Sequence, residues 1–201
     1  MMYIPSALRV DDPAVLNAFI RRHSFATLIA AGEEPFVTHL PLLVKSDGNR
    51  GTLLGHFARA NPHWQLDHAR QSSAAIFHGP HAYISPSWYR SGSPAVPTWN
   101  YAVMHAWGRL SLISEPAEVE AILRRLLDVF EPASVRPWET RLSREALDKL
   151  VASVLAFRMP IDRVEGKFKL SQNRAAADQL GAIERLEEAG DGDSSALAAF
   201  A

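Results

Sequence analysis

Residues 77–101, FHGPHAYISPSWYRSGSPAVPTWNY, gather six aromatic side chains, four prolines and two histidines. Pro80, Pro86, Pro94 and Pro97 fix φ and remove backbone donors, which predicts a rigid, irregular connection rather than a central strand or a helix. Tyr83, Trp88, Tyr89, Trp99 and Tyr101 each join an apolar ring to a polar tip, a composition suited to a wall that is partly buried and partly against a polar partner. A planar, half-polar ligand is one such partner. The same rings equally suit a core or a subunit interface, where aromatics are also enriched.

Toward the N-terminus, Asp12-Pro13 opens a helix whose apolar face is Val15, Leu16, Phe19 and Ile20, with Arg21 and Arg22 near its C-terminus. Strands follow: Phe25 to Ala31, a turn at Gly32–Pro35, Phe36 to Val44, a turn at Ser46–Asn49, and Gly51 to Phe57. Asn61-Pro62 is an N-cap signal for a short helix reaching about His68, and Ser73 to Gly79 is a fourth strand. This meander of antiparallel strands points to a barrel or to a sheet packed on helices.

Beyond the aromatic stretch, Trp99 to Ile113 reads as one long strand covered on both faces, because neither of its alternating sides is fully polar. Ser114 predicts the cap of a helix over Glu115 to Phe130, and Ser143 the cap of another carrying Leu147, Leu150, Val151 and Val154. From Val164 the alternation is strict, with Arg163, Glu165, Lys167 and Lys169 on one face; that charged face is expected at solvent or against a phosphate or flavin edge. Ser171 to Glu188 closes the chain as a helix. Residues 1–189 are thus read as one domain and 190–201, rich in Gly, Asp, Ser and Ala, as a mobile tail.

Composition limits the function classes. The 201 residues include no cysteine, which removes disulfides, thiolate ligands and a cysteine nucleophile. A net charge of −1 gives no overall footprint for nucleic acid. The N-terminus has neither a basic start nor a signal-like apolar core, so a cytoplasmic location is expected. All eight histidines lie between His23 and His105, but without a His-Glu-x-x-His segment; most read as structural, and a haem axial role for one stays open. No Gly-x-Ser-x-Gly elbow is present.

Two junctions could bind an anion at a helix N-terminus, Gly55 to Asn61 with Arg59 as its cation, and Lys167 to Arg174 with three cations among amide and hydroxyl side chains. Each equally reads as a capped helix start with solvated charges.

Taken together, Met2–Pro5, Gly55–Pro62, Gly79–Tyr89, Val96–Tyr101 and Gly166–Arg174 resemble, in order, the segments of the PaiB family of FMN-binding negative transcriptional regulators. The resemblance covers the chain to about Gly190. It implies an α+β, mostly antiparallel fold, a six-stranded split β-barrel with flanking helices, and a homodimer with FMN sites at the subunit interface. On that basis His56, Ala58, Arg59 and Asn61 are candidates for the phosphate side, and Thr38, His39 and Leu40 for the polar edge of the isoalloxazine ring. Trp99, Asn100 and Tyr101, from the partner subunit, with Lys169, Ser171, Gln172 and Asn173, would complete the wall, Lys169 as the cation at the pyrimidine edge. The implied functions are flavin binding and transcriptional regulation, by direct DNA contact or indirectly; flavin-dependent oxidoreduction and haem binding or handling are the alternatives within the fold.

Overall fold

A computed structural model describes residues 1–201 apart from 33, 48–49, 69, 93 and 132–142. The expected turns at Gly32–Pro35 and Ser46–Asn49, and the connection Glu131–Leu142, lie wholly or partly outside the described residues. In chain order, β1 (Arg9–Val10) precedes α1 (Pro13–Arg22), where Asp12 Oδ1 accepts the Ala14 N–H at 2.8 Å, as the Asp-Pro start predicts. Next come β2 (Phe25–Ala30), β3 (Phe36–Pro41), β4 (Leu43–Lys45) and β5 (Thr52–Ala58). The single strand expected over Phe36–Val44 is interrupted at Leu42, whose N–H donates to Ser24 O at 2.8 Å.

β6 (Ser73–Ile84) runs through Pro80, correcting the expected irregular connection. Its buried positions are odd-numbered up to Phe77 and even-numbered from Pro80, the phase change of a one-residue bulge, which is how a strand accommodates a proline. β7 (Thr98–Gly108) and β8 (Ser111–Ile113) replace one long strand. They part where a Cβ on Gly108 would come within 2.1 Å of Pro160 O, so another backbone occupies the space a continued strand needs.

α2 (Pro116–Phe130) has Glu115 rather than Ser114 at its N-cap, with Pro116 supplying the first helical φ and no side-chain cap bond. In α3 (Arg144–Ala152) the expected cap is present: Ser143 Oγ accepts the Ala146 N–H at 3.2 Å. β9 (Val154–Pro160) was not foreseen, and it takes Val154 out of the helix stripe assigned to it. β10 (Arg163–Lys169), α4 (Ala176–Ala189) and α5 (Gly192–Ala198) complete the chain. The expected tail therefore carries a helix, capped by Asp191, whose Oδ1 accepts the Ser194 N–H at 2.8 Å.

Two compact units can be distinguished, and their boundaries fall inside α1, β6, β7 and β10 rather than in linkers. The first comprises Met1–Phe19, Phe77–His105 and Glu165–Ala201. Its strands run in the order β1-β10-β7-β6, with Arg9 opposite Lys167. Ala82, Ile84, Ala182, Leu186, Leu197 and Ala198 form its buried cluster, so α5 is held by its apolar residues. The middle of the charged face of β10 is buried, which corrects its expected place at solvent: Glu165 and Lys167 are 7% and 8% exposed, while Arg163 and Lys169 at its ends are half-buried. The N-terminal segment supplies their partners. Glu165 Oε2 accepts the Met2 N–H at 2.9 Å, and Lys167 Nζ donates to Tyr3 O at 3.1 Å while lying over the Tyr3 and Tyr101 rings.

The second unit comprises Ile20–Ile76 and Ala106–Val164. It holds the antiparallel pair β2–β3, with Leu28 opposite Thr38 and Thr27 opposite His39, and the sheet β4-β5-β9-β8. α2 covers that sheet through Val119, Ile122 and Leu126, packed with Leu43, Leu54, Ile113 and Ala156.

Candidate functional site

In the second unit, β3, the end of β5 and the turn after it bring several candidate residues together. The helix expected after Asn61 is a single 3-10 turn, Pro62–Gln65. Its first residue has no N–H, and Asn61 Oδ1 accepts the His63 N–H at 3.0 Å, so the turn offers little backbone donor capacity to an anion. Donors here must come from side chains. Asn61 Nδ2 donates to Thr38 Oγ1 at 3.1 Å, and Thr38 Oγ1 lies 2.8 Å from His63 Nδ1. His39 is exposed, its Nδ1 3.1 Å from Thr27 Oγ1, and Leu40 is buried.

Arg59 does not present a free guanidinium. Its Nε donates to Ala152 O at 2.8 Å and an Nη to Val154 O at 3.3 Å, which satisfies one carbonyl at the C-terminal end of α3 and one at the start of β9. Ala58 is exposed at the end of β5, opposite Val154. His56 is half-buried, its Nδ1 is enclosed without a hydrogen-bond partner among the described residues, and burial holds its imidazole below the ordinary pKa. His63 was not foreseen as a site residue. Fully buried, it stacks on Phe57 at 4.9 Å, and desolvation together with the neighbouring His68 lowers its pKa from 6.5 to about 4. The Asn-Pro cap signal two residues earlier was the available clue to its position.

In the first unit the remaining candidates form a second group. Asn100, 3% exposed, donates from Nδ2 to Ser171 Oγ at 2.9 Å, and the serine hydroxyl returns a bond to Asn100 Oδ1 at 3.3 Å. Ser171 has φ +64°, a left-handed conformation uncommon outside glycine, and this buried pair holds it there. Gln172 Oε1 accepts the Leu170 N–H at 2.7 Å and its Nε2 donates to Phe168 O at 2.6 Å, so it braces the turn. Lys169 Nζ is bonded to Thr98 Oγ1, and Asn173 is exposed. Trp99, 54% exposed, has its ring 6.1 Å from that of His81 and 6.2 Å from that of Tyr83. A groove of about 380 Å³ is lined by His78, His81, Trp99 and Tyr101 among others. The phase change in β6 puts both histidines on its exposed side.

The two groups fit the two chemistries of a flavin mononucleotide separately. The second unit offers polar side chains, an exposed cation and an enclosed, unpartnered imidazole nitrogen at His56, while the first offers an open aromatic surface beside histidines. Asn100, Ser171 and Gln172 are occupied with one another and with backbone, so they brace the turn after β10 rather than present free groups.

A family model described as "Putative FMN-binding domain" matches residues 2–163. The chain is 34% identical over 189 residues to the protease synthase and sporulation protein PAI 2 of Bacillus subtilis (strain 168), covering 92% of this chain and 89% of that protein. It is 29% identical to an uncharacterized protein of Aspergillus fumigatus, covering 90% and 84% of the two chains. Among solved structures it is similar to the flavocytochrome Anf3 from Azotobacter vinelandii, with TM-score 0.66 and 18% identity over 83% of this chain and 72% of that one. It is also similar to the FAD and heme binding protein from Mycobacterium smegmatis, with TM-score 0.60 and 17% identity over 87% and 79%. The fold shared with these structures is the expected split barrel of antiparallel strands with flanking helices.

Proposed function

The chain belongs to the PaiB family of FMN-binding domains, and from that premise we propose that it is a flavin-dependent sensor acting in negative transcriptional regulation. The observation that carries the reading is the linked polar group Thr38–Asn61–His63, with Arg59 and His39 on the same strands and turn. When bound, FMN supplies electron-transfer chemistry that the side chains lack. Thr38, His39 and Leu40 orient the ring edge, and His56, Ala58, Arg59 and Asn61 line the phosphate side. Trp99 and Tyr101 supply ring surface from the partner subunit of a homodimer, on a wall shaped by Asn100, Lys169, Ser171, Gln172 and Asn173. The net charge of −1 favours regulation through the flavin or its redox partner over direct DNA contact. A cytoplasmic location is proposed with it; no helix among the described residues is long and apolar enough to cross a membrane.

The test is the absorption spectrum of the purified protein followed by a thermal titration with FMN. A flavin spectrum, or a stabilisation of about 2.7 kcal/mol at a hundredfold excess over Kd, supports the reading. Absence of both removes FMN and the site assignment together.

The first-unit groove favours haem as a second reading, because His78 and His81 flank an exposed tryptophan there. It predicts a Soret band on adding haemin that His81→Ala or His78→Ala abolishes. A band unchanged in both variants counts against it.

A further inference from the structure

We propose that His63 is a positioning residue which commits the Thr38 hydroxyl to act as a hydrogen-bond donor toward the ligand. The proposal rests on the reading of Thr38 as a flavin contact, but its central claim concerns the protein alone. Asn61 fixes the starting point. Its Oδ1 accepts the His63 N–H at 3.0 Å, so the amide can be oriented only one way, and Nδ2 is the group that donates to Thr38 Oγ1 at 3.1 Å. One lone pair of the hydroxyl is therefore filled.

The second contact, His63 Nδ1 at 2.8 Å from Thr38 Oγ1, has two possible senses. A neutral imidazole carries one N–H, and the His63 ring is closed in by Phe57, Phe36 and His68, with Nε2 enclosed and unpartnered among the described residues. With the proton on Nε2, a buried N–H would have no acceptor, and the Thr38 proton would be spent on Nδ1. With the proton on Nδ1, that N–H donates to Thr38 and only a lone pair is left bare at Nε2. Orphaned buried N–H groups are the rarer of the two, so the Nδ1–H form is favoured. Burial keeps the ring neutral, and His68, the titratable group stacked on it, reinforces this. In the Nδ1–H form both lone pairs of Thr38 are occupied and its O–H is the only free function. The half-buried hydroxyl then selects an acceptor, a phosphate or carbonyl oxygen or a ring nitrogen, and rejects a ligand N–H at that point.

The first measurement is the long-range nitrogen–proton spectrum of the uniformly labelled protein at pH 7, with the His63 signals identified by their loss in His63→Phe. A protonated Nδ1 and bare Nε2, unchanged down to pH 5, is expected; a protonated Nε2 or an imidazolium overturns the proposal. The second is FMN affinity by fluorescence quenching. Thr38→Val and His63→Phe should each weaken binding about tenfold, the worth of one well-placed hydrogen bond. The double variant should be no weaker than the weaker single one, and His63→Gln, whose amide can donate in the same sense, should recover affinity. Losses that multiply, or a His63→Gln as weak as His63→Phe, overturn the proposal. Failure of the wild type to bind FMN overturns the flavin reading instead, and the tautomer spectrum still decides the role of His63.

Discussion

The carboxylate of Asp178 grips Ser91 at two points: Oδ1 accepts its backbone N–H at 2.7 Å and Oδ2 accepts its hydroxyl at 2.8 Å. Oδ1 also takes the Arg90 N–H at 2.8 Å, which ties the turn after Trp88 and Tyr89 to the first turn of α4. These bonds hold the Asp178 pKa below its usual value, the Ser91 N–H contributing most. A depressed carboxylate pKa means that the unfolded state binds the proton more readily, so this stabilisation is present above about pH 4 and is lost as pH falls through the folded-state pKa. Asp178→Asn should lower Tm at pH 7 and narrow the gap to wild type below pH 3. A gap that stays constant across that range would show that the charge is not what holds the turn.

Three residues along α4, a Cβ added at Gly181 would lie 2.3 Å from Trp88 O and 3.4 Å from the Arg90 side chain. The closest obstacle is backbone, which cannot rotate away. Gly181→Ala should therefore cost about 1–3 kcal/mol despite the higher helix propensity of alanine. Chemical denaturation measures it, and a stabilised variant would show that the turn moves freely from α4.

Local signals in the sequence were legible where the physics is local. Asp12-Pro13, Asn61-Pro62 and Ser143 mark helix starts that the structure contains, because a cap is decided within a few residues. Pairing over distance was not. Val154, the first residue of β9, reads as part of a helix stripe, and the rest of that strand carries no local signal; it is defined by β5 and β8 on either side of it. Glu165 and Lys167 read as facing solvent or a ligand edge until the N-terminal segment supplies a Met2 N–H and a Tyr3 carbonyl more than 160 positions away in sequence. The site shows the same division. Thr38 rests on the family resemblance and Asn61 on that and its cap signal, whereas His63, which joins them, is marked in the sequence only by the Asn-Pro pair before it and becomes a site residue through three-dimensional contact.

Arg59 separates two roles that sequence alone merges. Its guanidinium already satisfies the Ala152 and Val154 carbonyls, yet it remains exposed and cationic. Arg59→Ala should lower stability by about 1 kcal/mol through the lost carbonyl bonds and, on the flavin reading, weaken FMN binding about tenfold. Arg59→Lys keeps the charge but not the planar fork, so it should recover part of the affinity with little of the stability. Reduced stability with unchanged FMN affinity would confine Arg59 to capping α3.

His63 makes a prediction in a different pH window from Asp178. Its pKa falls from 6.5 to about 4 on folding because burial disfavours the imidazolium and His68 adds like charge. Between these values the unfolded chain takes up a proton that the folded chain refuses, so stability is fully present above about pH 6.5 and declines as pH falls toward 4. A shift of that size corresponds to roughly 3 kcal/mol at 1.36 kcal/mol per unit. His56, His105 and His23 are also lowered, chiefly by burial, and act in the same direction, so the total slope belongs to several residues. The difference between wild type and His63→Phe isolates one of them. Relative to wild type, the variant should gain stability as pH is lowered from 7 to 4.5, whatever its offset at neutral pH. Parallel pH profiles for the two proteins would mean that His63 titrates in the folded state as it does in the unfolded chain, and that its ring is not held neutral by the packing described.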